Sequence, residues 1–318
     1  MRPEFVHASD LLRQNTPESI AEAIGLLQGA VYSFSMKMCG HREDAEDTAQ
    51  EVLFRSLKHL PKLQEPAALA GWLYTVARNR CHRLRGTVQD SPRRKLSLDD
   101  LMPEEAELKS LLGATLSPEG AALLTERRDL IHAAVLHIPS QLRIVLVLHD
   151  MEELSTEQVA QILDLREGSV RVRLHRARLA LRKEMSLALR RGIRGESARK
   201  REPARTPKRT GARENGGAGR KPKECRELFA GLSEYLDGRV DPEKAHSINA
   251  HMQECPACVA FLRDLRAAIE RCRSMEAECD PAVTSRLRTM LTEEYLRVTG
   301  NSSRARAPRS PNRQRSNG

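Results

Sequence analysis

Cys225, His251, Cys255 and Cys258 are the side chains in this sequence whose types and spacing best suit a specific ligand. His251 and Cys255 stand four apart, which puts them on one face of a helix, and Cys255-Pro256-Ala257-Cys258 can close a knuckle around an ion. That gathers three soft or borderline donors at one turn. A structural zinc site takes four, and Cys225 is the natural fourth, because it opens a helix over residues 226–236 that must pack beside the helix carrying His251. The expected cofactor is therefore structural Zn²⁺. Metal-free packing or a disulfide is the competing reading, and a Cys-x-x-Cys pair alone can do redox chemistry, although no strand-rich, thioredoxin-like context surrounds this one. Cys272 and Cys279 lie outside the set, while Cys39 and Cys81 are expected in the helical core.

The elements that would position these donors are legible. Asp237-Gly238 ends the first helix, and Asp241-Pro242 caps and starts the next. Further upstream, Ser155 and Gln158 form a capping box, and Val159, Ile162 and Leu163 give a short helix one apolar face that ends near Asp164. A second helix is expected from about Ser169, with Val170, Leu174, Ala177 and Leu181 as its buried stripe. Arg171, His175, Arg178 and Arg182 form a separate stripe. Two helices across a tight turn, the second strongly basic, suit a helix-turn-helix, whose second helix enters the major groove N-terminus first. Arg166, Arg171 and Arg173 could then reach bases or phosphates, with the later arginines on the backbone.

Two earlier segments are amphipathic helices. Residues 40–53 open with acids, where a helix dipole favours them, and carry Ala45, Ala49, Val52 and Leu53 on one side. Residues 69–85 are apolar early and basic late, with Trp72 expected in the core among Leu73, Val76 and Leu84.

The chain has 318 residues, a net charge of +10 and only 3 % aromatic residues, which favours polyanionic partners and an all-α fold of several small domains. No apolar run is long enough to span a bilayer and the first residues hold no apolar signal core, so a cytoplasmic protein with reduced thiols and no membrane partner is expected. Composition divides the chain into a helical unit at 17–86, a connector at 87–125, a helix-turn-helix unit at 126–190, a basic linker at 191–223, a zinc-binding unit at 224–298 and a basic tail at 299–318. The linker, with almost no large apolar residue, cannot bury a core; its random-coil span is on the order of 30 Å, enough to fold back over a small domain.

Taken together, these segments resemble the extracytoplasmic-function (ECF) sigma factors of bacterial RNA polymerase. The run from Val170 to Arg178 is similar to sigma region 4, which reads the minus-35 promoter element. The resemblance implies DNA contact by Arg166, Ser169, Arg171, Arg173, His175, Arg176 and Arg178. Two departures stand out: Asp164 replaces the usual turn glycine, which Asp tolerates better than most residues, and Arg166-Glu167 replaces a more usual Pro-containing pair.

Residues 40–53 resemble the part of region 2 that binds core polymerase, implying contact through Asp44, Asp47, Gln50 and Glu51. Residues 69–85 resemble the segment that captures the minus-10 element, with Asn79 matching the base-contacting asparagine and Arg78, Arg80 and Arg83 on phosphates. The zinc cluster, together with Tyr235-Leu236-Asp237-Gly238, is similar to the zinc-binding anti-sigma domain, here fused downstream.

The resemblance thus implies a non-enzymatic initiation factor that partners core RNA polymerase and promoter DNA. It also implies regulation in cis by the zinc domain, or by a separate regulator, with a redox response of the zinc thiolates as a family analogy. The alternative is a freestanding helix-turn-helix regulator whose zinc domain senses or dimerises; that protein would not need the Asp44–Glu51 face or Asn79. A zinc hydrolase or nuclease fits poorly, because the four ligand positions are filled and no general base stands beside them.

Overall fold

The computed structural model describes residues 1–85, 101, 124–195, 223–275, 277 and 279–300, and among these every regular element is helical. The expected connector, basic linker and basic tail lie for the most part outside the described residues. Two compact units emerge among these, one holding the described residues of 1–36, 41–84 and 277–300, the other those of 37–40 and 85–275.

In the first unit, α1 (Pro3–Gln14), α2 (Pro17–Cys39, its last turn belonging to the other unit), α3 (Arg42–Ser56) and α4 (Pro66–Arg85) surround an apolar core. Three of these helices begin on a proline, whose fixed φ and missing N–H suit the first helical turn. Phe5, Ile20, Ile24, Leu27, Phe34, Val52, Leu53, Leu69, Leu73 and Tyr74 are buried. Tyr74 is the central aromatic, its ring 5.3 Å from Phe5 and 4.9 Å from Phe34. Trp72, expected in the core, is half-buried instead and lies against His59 at 5.0 Å. Helix spacing explains the exchange: only one of two residues separated by two positions can face inward, and Tyr74 shares that side with Leu73 and Ala77.

A fifth helix, α12 (Pro281–Val298), belongs to this unit and packs on α3. Asp280 caps it by accepting from the Ala282 N–H, and its other oxygen takes Arg42 Nη2 at 3.0 Å, tying α12 to the start of α3. Leu287, Leu291, Tyr295 and Leu296 are its buried side.

The second unit holds α5 (Leu124–His137), α6 (Ser140–Leu146), a wide helical turn at Val147–Met151, α7 (Thr156–Leu163) and α8 (Glu167–Gly195). The capping box is formed, with Ser155 Oγ accepting from the Gln158 N–H and Gln158 Oε1 from the Ser155 N–H. Asp164 takes the left-handed conformation at φ 54°, so the turn survives without glycine. Val170, Leu174, Ala177 and Leu181 are all buried, as their spacing predicts. Helix α8 starts two residues earlier than expected and runs to Gly195, past the expected boundary at 190. Gly40 closes α2 at φ 76°, where a Cβ would also collide with Leu136.

Three more helices complete this unit: α9 (Lys223–Leu236), α10 (Pro242–Glu254) and α11 (Pro256–Arg273). Phe229 and Phe261 meet edge to face at 4.8 Å in their core, and α9 and α11 both pack on α8.

Candidate metal centre and nucleic-acid interface

Cys225 lies in the first turn of α9 and His251 in the last turn of α10, while Cys255 occupies the break between α10 and α11 with Cys258 one turn into α11. Cys255 is thus not on the His251 helix. Its φ of −119° breaks the helix and swings its thiol round to the others. The four donor atoms all lie within 4.8 Å of one another. Cys225 Sγ is 3.6 Å from His251 Nε2, Cys258 Sγ is 3.4 Å from it, and the two sulfurs are 3.8 Å apart.

A tetrahedral zinc ion with ordinary bond lengths sets its sulfurs about 3.8 Å apart and sulfur to imidazole nitrogen about 3.6 Å apart. Cys225, His251 and Cys258 therefore already have the spacing of a zinc shell, with the Cys255 thiol close enough to be its fourth member. Burial and the neighbouring Cys255 and Cys225 push the Cys258 thiol pKa up, so bringing these sulfurs together as thiolates calls for a cation between them. The arrangement fits zinc. Bound there, the ion would tie together α9, α10 and α11, a group whose apolar core is small.

In the helix-turn-helix, Arg166, Ser169, Arg171 and Arg176 are exposed and Arg173 is half-buried. Arg171 Nη2 meets Glu167 at 2.9 Å along the helix. His175 is half-buried, and its Nε2 is enclosed without a hydrogen-bond partner; burial first, then Arg178 and Arg176, lowers its pKa to about 4. Arg178 departs from expectation. It is 1 % exposed, and its guanidinium is shared between Asp150 and Asp237, so in this structure it does not face solvent as a DNA contact. Arg182, on the same stripe, is likewise buried, with Nε 2.9 Å from Asp264 and its guanidinium over the Phe261 ring at 4.7 Å. Helices α9 and α11 cover α8 at Arg178 and Arg182, the later arginines that the sequence places on the DNA backbone.

Asp150 is fully buried. Burial alone would raise its pKa, but hydrogen bonds and charge from Arg178 and His149 prevail and hold it at about 2. A second enclosed ion pair, Lys37 Nζ to Glu152 at 2.7 Å, lies in the same unit.

In the first unit, Asp47 and Gln50 are exposed and Asp44 and Glu51 half-buried on α3. Asp47, Gln50 and Glu51 line an open cleft of about 880 Å³ with Phe54 and Arg80; its other wall is α12, through Leu287, Met290, Leu291 and Glu294. Glu51 pairs with Arg80 at 2.7 Å and Arg55 at 2.6 Å. On α4, Asn79 and Arg83 are exposed and Arg78 half-buried, with Arg78 Nη2 donating to Asn79 Oδ1 at 2.7 Å. Asp150, Asp237, Ser233, Asp264 and Phe54 are absent from the site residues expected from sequence. The four polar residues pair with Arg178 or Arg182 across 28 to 82 residues of chain, and no spacing rule reports such a contact.

Three family models match: Sigma-70 region 2 over residues 24–87, Sigma-70 region 4 over 128–181, and a putative zinc-finger over 225–258. The chain is similar to the ECF RNA polymerase sigma factor SigW of Bacillus subtilis, with 28 % identity over 55 % of this chain and 92 % of that protein. It is 31 % identical to the RNA polymerase sigma-H factor of Pseudomonas aeruginosa, over 46 % of this chain and 76 % of that one. The ECF sigma factor SigE of Mycolicibacterium smegmatis is 30 % identical, over 48 % of this chain and 56 % of that one. The described residues contain no helix long and apolar enough to cross a membrane. With regions 2 and 4 in order and a zinc-finger segment after them, the chain belongs to the ECF sigma factors, transcription initiation proteins with no catalytic chemistry of their own.

Proposed function

We propose that this sigma factor is held in check by its own C-terminal segment. The observation that carries the reading is the position of α12 on α3: the helix bearing Asp44, Asp47, Gln50 and Glu51, the proposed contact with core polymerase, already has a helical partner along part of its length. Promoter reading is assigned to α7 and α8 through Arg166, Ser169, Arg171, Arg173, His175, Arg176 and Arg178. Capture of the minus-10 element is assigned to Asn79 with Arg78, Arg80 and Arg83. Zinc at Cys225, His251, Cys255 and Cys258 gives the regulatory segment its shape, and oxidation of its thiolates would release both ion and restraint. The protein would act on nucleoid DNA in the cytoplasm.

Replacing Asp44 and Asp47 with Asn and Glu51 with Gln together should weaken binding to core polymerase at least tenfold. Binding to bare duplex DNA should change little. Equal loss of both would count against the assignment. Treatment with peroxide should release zinc and raise transcription; an oxidised protein that keeps its zinc would end the redox part of the proposal.

A further inference from the structure

Arg178 is gripped on two edges by carboxylates of different origin. One edge belongs to the helix-turn-helix itself: Nε and Nη2 donate to Asp150 at 2.8 and 2.6 Å. The other belongs to the zinc-binding helices: Nη1 and Nη2 donate to Asp237 at 3.1 and 2.7 Å, and Nη1 also to the Ser233 hydroxyl at 2.7 Å and carbonyl at 3.2 Å.

The two edges have unequal standing. Asp150 is fully enclosed and holds the guanidinium from within the helix-turn-helix unit, with Nη2 2.6 Å away. Asp237 is partly exposed, at the end of α9, and approaches from outside. A guanidinium edge accepts any planar pair of oxygens, and carboxylate and phosphate fill the same fork.

The surroundings extend the match. Arg171, two turns before Arg178 on α8, lines with Leu174 and Thr156 a small cleft whose opposite wall is Ser233, Glu234, Asp237 and Arg239. Arg239 Nη1 donates to the Thr156 hydroxyl at 3.2 Å, at the first residue of α7. The acidic end of α9 therefore runs along the arginine-bearing flank of the recognition helix, held by polar contacts. Polar contacts exchange for water or phosphate more readily than apolar packing does.

We propose that the outer edge of Arg178 is a phosphate-binding position of the DNA-reading domain, and that Asp237 occupies it in place of a DNA phosphate, so that the zinc-binding segment and duplex DNA compete for one arginine. The proposal rests on the assignment of α7 and α8 to DNA, and is independent of any contact with polymerase.

The test is fluorescence anisotropy on the zinc-loaded full chain with a labelled 30-base-pair duplex of mixed sequence, without polymerase, between 50 and 200 mM KCl. Asp237→Asn should bind about tenfold more tightly than the parent, and its plot of log affinity against log salt should steepen by about 0.9, the value for one more phosphate contact. Glu243→Gln removes an equal charge from an exposed site on α10 and should do neither. Adding Arg178→Ala to Asp237→Asn should remove the extra slope. Should that double variant fail to fold, Asp237→Arg, which repels Arg178 and leaves α7 and α8 untouched, must tighten binding as Asp237→Asn does. Unchanged affinity in both Asp237 variants, or a slope indifferent to Arg178, would overturn the proposal. A protein that responds here but fails to initiate transcription would keep the competition and lose the sigma role.

Discussion

The cluster of Cys225, His251, Cys255 and Cys258 was legible as metal-ligand residue types at short spacings, although Cys255 sits in the break after the His251 helix and not on it. Arg178 was not: its neighbours at Asp150 and Asp237 are 28 and 59 residues away, so only the folded chain shows that it is enclosed. Changing Cys255 and Cys258 together to Ser should take bound zinc from one per chain to none by atomic absorption, and retained zinc would move the site elsewhere. His175 offers a pH test. Its pKa of about 4 in the folded protein lies below the ordinary value of 6.5, so the unfolded chain binds the extra proton first. Stability is then complete above about pH 6.5 and falls as the pH drops toward 4. Urea unfolding of the helix-turn-helix unit should show a loss of about 2 kcal/mol between pH 7 and 5 that His175→Gln abolishes. A loss of the same size in His175→Gln would assign it to other groups.

Helix boundaries followed from caps and prolines, which act locally. Ser155 with Gln158 and Asp241 with Pro242 start their helices where the sequence places them. Packing partners did not follow. Helix α1 joins the region 2 core through Phe5, and α12 separates from α9–α11 to pack on α3, although composition groups residues 224–298 together. An amphipathic face shows that a helix is covered without showing by what. Leu291, 2 % exposed, anchors α12. Leu291→Ala should remove about 2–5 kcal/mol of packing and so loosen that helix. Affinity for core polymerase, measured by surface plasmon resonance, should rise. Unchanged or lower affinity would mean that α12 is not a competitor for the α3 face.

At the scale of the whole molecule, the two sigma regions are followed by a segment whose helices pack on an element of each region. In the first unit α12 lies on α3; in the second α9 and α11 lie on α8. The all-helical architecture and the order of the sigma regions were legible from periodicity and resemblance, whereas the internal covering depends on tertiary contacts alone. The direct test is promoter-dependent transcription by core RNA polymerase, comparing the full chain with one ending at Gly216 across a promoter library. Restraint in cis requires specific initiation from both and a more active shortened chain. A shortened chain less active than the full one would contradict the restraint, and initiation from neither would contradict the sigma function itself.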